Sequence, residues 1–345
     1  MIRAGFIGAG TIASAHLAAL QRLPEVRITA FADPVLERAQ ERAAQFGGRA
    51  VASEADLWEH ADAVWVCSPP HLHAEHTIAA AQAGRHVFVE KPIAHTLEAA
   101  TQMIDACRQA GVRLMVGQVL RYWPQLQRMR SLLLDGELGN LVACWSRRFG
   151  DASPAEMPWW RRDWRRGGGF TIEWGIHEVD FLRWVGEAVA GPVVRIHGRV
   201  ICSRADYPEF DDFVRATLTF RSGAVGGFEG GLSVPLGGGT WRAILGTRAM
   251  VITEGRGLRL RYTGDGAERL IEVPPLTDPE RRVNTAVLAE DAEFIAAITE
   301  GRDPRIPGED GRASLALCLA IHRSSREGRE VAMEDLLPPP SEPGG

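Results

Sequence analysis

The sequence predicts an α/β chain: a doubly wound parallel sheet at the amino end, then an α/β domain on an open, mostly antiparallel sheet. Three observations predict it. Over the first third, short apolar runs alternate with helical stretches, the pattern of parallel strands joined by crossover helices. A glycine turn, Gly8-Ala9-Gly10, separates the first strand from the first helix, at the edge where such sheets take their ligands. Past about residue 120, β-like runs follow one another with only turn residues between them, which favours an antiparallel sheet.

Taken in order, residues 2–7 form an apolar strand entering the glycine turn, and 11–22 continue as a helix. A strand at 26–32 ends on Asp33-Pro34, which suits the start of a helix over 34–46 because aspartate caps and proline fits a first helical turn. A strand at 63–67 leads through a proline- and histidine-rich turn into a helix at 73–83. Val87-Phe88-Val89 is a short β-rich run, followed by a helix over 96–110 and a strand at 114–116. A helix over 124–134 stops at Asp135-Gly136, and a Trp/Arg/Gly-rich segment precedes a helix over 170–185. Strands are expected near 192–201, 213–220, 224–232, 241–246, 249–253, 257–262 and 269–273, and helices over 285–299 and 308–323. The expected domains are 1–120 and 121–337, with 338–345 a proline- and glycine-rich frayed tail.

Composition excludes several classes. The chain has 345 residues, 45% hydrophobic and 24% charged, which suits two ordinary domains rather than a disordered one. A net charge of −5 argues against general binding to nucleic acid or an anionic membrane. The five cysteines are scattered without a CxxC pair, so neither a disulfide framework nor a thiolate zinc site is expected, and a reducing cytoplasm fits. The first residues read as a strand rather than an export signal, and no apolar stretch approaches the roughly 20 residues needed to span a bilayer.

Four motifs carry chemistry. Gly8-Ala9-Gly10-Thr11-Ile12-Ala13 fits GxGxxA: Gly8 for the tight turn, Gly10 for close approach of a pyrophosphate, Ala13 for helix packing on the sheet. Asp33, about 20 residues on, is placed to accept bonds from the adenosine ribose. Its charge would repel a ribose 2′-phosphate, so NAD is expected rather than NADP, with Arg38 the residue that tempers the choice. Ser68-Pro69-Pro70-His71-Leu72-His73 lies on the same sheet edge; its histidines, with His76, lack an acidic or thiolate partner in sequence, so a cofactor-side contact through His73 is expected and no metal. Lys91, in Glu90-Lys91-Pro92, is the only lysine among 39 Lys and Arg side chains, and an ammonium approaches one oxygen end-on where guanidinium is a wide fork. Finally Glu173, His177 and Asp180, at i, i+4 and i+7 of one expected helix, gather two acids and an imidazole on one face beside Gly167-Gly168-Gly169; histidine is the commonest general acid or base.

Together with Ala83-Gly84-x-His86-Val87, Arg121-Tyr122-x-Pro124 and Gly136-Glu137-Leu138-Gly139, these motifs make the chain resemble the Gfo/Idh/MocA family of oxidoreductases over nearly its whole length. The resemblance implies an amino-terminal Rossmann domain and a carboxy-terminal domain that assembles dimers or tetramers through its sheet. It implies that Lys91 and His177 are catalytic. Glu173 departs from the aspartate common in the family, which leaves open whether it orients His177, touches substrate, or does either. The cofactor contacts expected on this reading are Gly8, Gly10, Thr11, Ile12, Ala13, Asp33, Ser68, Pro69, His73, Glu90, Lys91 and Gln118.

The expected reaction is NAD-dependent interconversion of a secondary alcohol and a ketone. His177 exchanges the hydroxyl proton, Lys91 stabilises the alkoxide and Glu173 assists. Trp159-Trp160-Arg161-Arg162-Asp163-Trp164 suggests indole faces against a sugar or cyclitol and arginines on hydroxyls or a carboxylate. The expected substrate contacts are therefore Lys91, Arg121, Trp160, Arg161, Trp164, Glu173, His177 and Asp180. An NAD-using glycosidase acting through transient ring oxidation, or a non-catalytic NAD-binding sensor, are the alternatives.

Overall fold

The computed structural model describes residues 1–151, 156–232, 238–264, 266–278 and 283–337, so the tail expected at 338–345 lies outside the described residues. The amino-terminal elements are β1 Ile2–Ile7, α1 Thr11–Leu20, β2 Val26–Ala32, α2 Leu36–Phe46, β3 Arg49–Val51, α3 Glu54–Trp58, β4 Ala63–Val66, α4 His73–Gln82, β5 His86–Glu90, α5 Leu97–Ala110 and β6 Leu114–Gly117. The strands form one six-stranded sheet in the order β3-β2-β1-β4-β5-β6, and every pairing in it is parallel. This is the doubly wound order whose carboxyl edge holds ligands. Neither β3 nor α3 was expected from the sequence.

Aromatic side chains form a ladder through this sheet. Phe31, Phe6, Trp65 and Phe88 come from β2, β1, β4 and β5, and neighbouring rings stack at 5.7, 5.7 and 6.1 Å between centroids. All four are 0% exposed. Large apolar rings on adjacent strands are the natural filling of a face covered by helices. The cover over Trp65 and Phe88 arrives late in the sequence: Phe294 of α11, Thr285–Glu300, meets them edge-on at 5.4 and 5.8 Å. Asn284 starts α11 by accepting the Ala286 and Val287 amides at 2.9 and 3.3 Å, and Val283 and Val287 pack on Ala19 of α1.

The remaining elements are α6 Pro124–Leu134, β7 Leu141–Phe149, α7 Trp159–Arg162, α8 Trp164–Gly167, α9 Gly169–Glu173, α10 Gly175–Ala190, β8 Val193–Ile201, β9 Phe213–Phe220, β10 Val225–Gly231, β11 Gly239–Gly246, β12 Ala249–Glu254, β13 Gly257–Tyr262, β14 Glu268–Ile271, α12 Gly308–Glu327 and β15 Val331–Ala332. Nine strands build the second sheet in the order β14-β13-β12-β11-β7-β10-β9-β8-β15, antiparallel except for the β7–β10 pair. The sequence did not mark β7, although it is a central strand.

By contacts the chain divides into two discontinuous units, Met1–Trp123 with Pro275–Ala313, and Pro124–Pro274 with Ser314 onward. The sequence placed one boundary at 120/121 and assigned everything to 337 to the second domain. The structure returns 275–313, including α11, to the unit of the parallel sheet.

Candidate active site

In the first unit the glycine turn has the geometry that its residue types require. Gly8 has φ +92°, and a Cβ there would fall 2.8 Å from the backbone of Cys67, so only glycine fits. At Gly10 a Cβ would meet nothing within 4 Å, which leaves the amino end of α1 open to a ligand, where helix amides and the dipole favour phosphate. Thr11 and Ile12 are exposed there, and Ala13 is buried. Asp33 accepts the Ala9 amide on one oxygen at 2.8 Å and the Val35 amide on the other at 2.9 Å. It therefore ties the glycine turn to the chain entering α2. Arg42, rather than Arg38, reaches this turn, with Nε 3.1 Å from the Ala9 carbonyl.

On the same edge, Lys91 directly follows β5 and is half-buried. Its amide donates to Glu90 Oε2 at 3.1 Å, and Glu90 Oε1 faces His16 Nε2 at 2.9 Å. The His73 ring lies 2.8 Å from the Pro92 carbonyl through Nδ1 and 2.8 Å from the Ser68 carbonyl through Nε2. It is 1% exposed, and burial pushes its pKa down to about 4. His73 was expected to touch cofactor. Both its nitrogens are instead engaged with backbone, and it clamps the Ser68-Pro69 turn to Pro92. Ser68 Oγ meets His76 Nδ1 at 2.8 Å.

Gln118, just past β6, supplies a test of fit for the dinucleotide. It is 1% exposed, and among the described residues neither its amide nitrogen nor its amide oxygen has a partner. Buried amides are ordinarily paired, so this one suits a polar ligand at the sheet edge. The open Gly10 surface and the Gln118 amide both fit NAD. Arg121 does not extend the ligand surface as expected: it is 8% exposed, and its Nη1 donates to Asp310 at 2.7 Å, a framework ion pair.

In the second unit, Glu173, His177 and Asp180 do not share one helix. The expected run over 170–185 breaks at Trp174 (φ −114°, ψ −39°), so Glu173 ends α9 while His177 and Asp180 belong to α10. Glu178 anchors α10. Its carboxylate is 0% exposed, takes Arg242 at 2.8 Å on each oxygen, and accepts Ser146 Oγ at 2.5 Å. Burial pushes its pKa up, but Arg242, Arg148 and Ser146 more than reverse this and hold it below the usual range. Neighbouring residues point about 100° apart around a helix, so with Glu178 turned inward His177 stands half-buried at the margin. Asp180 was expected to bind a substrate hydroxyl. At 0% exposure, with Ser314 Oγ donating to it at 2.7 Å, it is part of the framework.

Glu173, 4% exposed, pairs with Arg161 Nη2 at 3.1 Å. That guanidinium also lies over the rings of Trp160 and Trp174 at 4.9 and 5.5 Å. Trp164 packs on His322 at 4.5 Å rather than standing open. Below them, Gly169 (φ +69°) leaves room for Asp211, whose Oδ1 would sit 1.4 Å from a Cβ. Asp211 Oδ2 accepts the Thr171 amide at 2.9 Å and the Thr171 hydroxyl. His322 Nε2 lies 3.8 Å from Asp211. Burial pushes Asp211 up to about 7 against its Thr171 bonds, and burial with Arg326 pushes His322 down to about 4. The sequence reading missed Asp211 and His322; Asp211-Asp212 after Phe210 was the signal, and nothing in sequence joined it to a histidine 111 positions later.

Among the described residues no cluster of three or more His, Cys, Asp or Glu is arranged to hold a metal ion, and no helix is long and apolar enough to cross a membrane. Residues 2–118 match an oxidoreductase family described as having an NAD-binding Rossmann fold, and 126–252 match the GFO/IDH/MocA C-terminal domain. The chain is 30% identical to a 1,5-anhydro-D-fructose reductase of Ensifer adhaerens, over 97% of this chain and 99% of that one. It is 29% identical to an inositol 2-dehydrogenase of Rhizobium meliloti (strain 1021), over 96% and 99%. In fold it is similar to a levoglucosan dehydrogenase solved in complex with NADH, with a TM-score of 0.86 at 22% identity, over 96% and 99%.

Proposed function

Since this chain belongs to the GFO/IDH/MocA family of NAD-binding oxidoreductases, we propose that it interconverts a secondary alcohol and a ketone on a sugar, cyclitol or related polyol. Bound NAD supplies the hydride acceptor for oxidation and, when reduced, the donor for the reverse. Gly10, Thr11 and Ile12, exposed or part-exposed at the head of α1, would hold the pyrophosphate, with Gly8 and Ala13 shaping the turn and its packing beneath them and Asp33 on the side of the adenosine ribose. Ser68, Pro69, Glu90 and Gln118 complete the cofactor edge.

In the oxidation, His177 accepts the hydroxyl proton as the carbon–hydrogen bond breaks, and the oxygen's electrons form the carbonyl bond. Lys91 donates to that oxygen and stabilises the developing negative charge. Glu173 acts through Arg161, holding the guanidinium beside Trp160 so that this segment offers both donors and an aromatic face to a polyhydroxylated ring. Self-association through the nine-stranded sheet belongs to the same reading and is supported by an open groove there, of about 420 Å³, lined by Trp145, Trp241 and Met250.

The observation that carries the proposal is the place of Lys91. A chain that uses arginine at every other such position keeps its one lysine directly past β5, on the edge that also bears the glycine turn. Lys91→Arg and His177→Ala should bind NAD as the parent does, by fluorescence titration, and lose about 10²- to 10⁴-fold in polyol oxidation followed as NADH formation. Parental turnover in either variant would remove its role.

A further inference from the structure

A buried chain of charged groups lies beneath the turn that carries Lys91, and beyond Glu90 the proposed chemistry does not use it. His16 sits on α1, three residues past Ala13, at 0% exposure. Its Nδ1 is 2.8 Å from Asp291 Oδ1 on α11, and its Nε2 is 2.9 Å from Glu90 Oε1 at the end of β5. Trp65 of β4 donates its indole N–H to the same Asp291 oxygen at 2.9 Å. The other Glu90 oxygen takes the Lys91 amide. Gly117 leaves the room: a Cβ there would lie 3.1 Å from Glu90 Oε1.

With a carboxylate oxygen facing each ring nitrogen, only the doubly protonated imidazole donates at both ends. Burial opposes that charge, but Asp291 and then Glu90 reverse the effect and raise the His16 pKa well above its ordinary value. Apolar groups of similar shape generally fill a core at least as stably as buried ions, which give up their hydration on burial. What the ions add is direction, because both Glu90 oxygens have assigned donors.

We propose that His16 is a positioning residue. The Asp291–His16–Glu90 chain locks the Glu90-Lys91 turn to the helix that follows the glycine turn, so the ammonium is presented in a single orientation relative to the phosphate-binding end of α1. This rests on the role given to Lys91 above, and the test separates the two. As Lys91 is the only lysine, reductive methylation with ¹³C-formaldehyde labels one side chain besides the terminal amine. The full-length protein, His16→Gln and Asp291→Asn would be compared by the Lys91 dimethyl resonance with and without NAD, by urea midpoint, and, unlabelled, by kcat and KM.

The expected result is a single sharp Lys91 resonance in the parent and a broadened or divided one in both variants. With it, kcat should fall about 10- to 100-fold, the scale of a catalytic group displaced by about an ångström, while KM for the alcohol stays within about threefold. Asp291→Asn keeps the shape of the site, so it carries the test if His16→Gln does not fold. An unchanged Lys91 resonance in folded variants overturns the proposal, even if Lys91→Arg is inactive. A Lys91 resonance that responds to His16 upholds it, even if Lys91→Arg retains full activity and the catalytic reading falls.

Discussion

Asp33 shows how one side chain serves two purposes at the glycine turn. Its oxygens hold the Ala9 and Val35 amides separately, and with the adenosine ribose beside it, as proposed, its charge would disfavour a 2′-phosphate. Asp33→Asn removes the charge and, having one acceptor oxygen, can keep only one of the two bonds. It should bind NAD several-fold more weakly and narrow the NAD-over-NADP preference; paired dissociation constants measured by NADH and NADPH fluorescence would check both changes. At this scale the glycine turn and the positions of Asp33 after β2 and Lys91 after β5 were legible because each is set by a local pattern. His16 was not, since its carboxylates lie 74 and 275 positions away. Glu173, His177 and Asp180 were singled out by spacing that presumes an unbroken helix. Arg161 claims the first and Ser314 the third, leaving His177 the half-buried member.

Most of the strands and helices were readable from period and punctuation, and the misses have physical causes. In β7 the run Leu141–Phe149 contains Arg147-Arg148 and follows the pairing of its neighbours more than a clean alternation. The α9–α10 break at Trp174 has no proline to announce it, and Gly175, which opens α10, packs so closely that a Cβ there would fall 3.0 Å from Phe228. Beneath α9, Asp211 and His322 make a prediction about acid stability. Asp211, raised to about 7, keeps its proton in the folded state between its unfolded value of 3.8 and about 7; taken alone, its contribution is lost as pH rises through 7. His322, lowered to about 4, stays neutral while the unfolded residue gains a proton below 6.5, so its contribution is lost as pH falls. Between about 4 and 6.5 the folded and unfolded pair each bind one proton, and the two slopes cancel. Asp211→Asn should therefore expose the histidine slope. Its urea midpoint should fall between pH 6.5 and pH 4.5 more than the parent's does; parallel profiles would refute the assignment.

For the molecule as a whole, the order of the chain is not the order of its parts. The fold class and both sheets could be read ahead, but not the return of 275–313 to the first unit, because that return is made by packing rather than by any boundary residue. Phe294 measures its weight. It is 0% exposed against Trp65 and Phe88, and Phe294→Ala should cost about 3–5 kcal/mol, read as a lower urea midpoint by tryptophan fluorescence; a loss below about 1 kcal/mol would show that the cover is not needed. On the ribosome, all six parallel strands have been made once Gly117 is added. A sheet that formed at that point would wait for more than 150 further residues before Asp291 and Phe294 could reach it, with Trp65 and Phe88 uncovered and the imidazole of His16 short of one carboxylate. Arrest at residue 274 should leave a sticky intermediate dependent on chaperones, and release a few dozen codons later should close it.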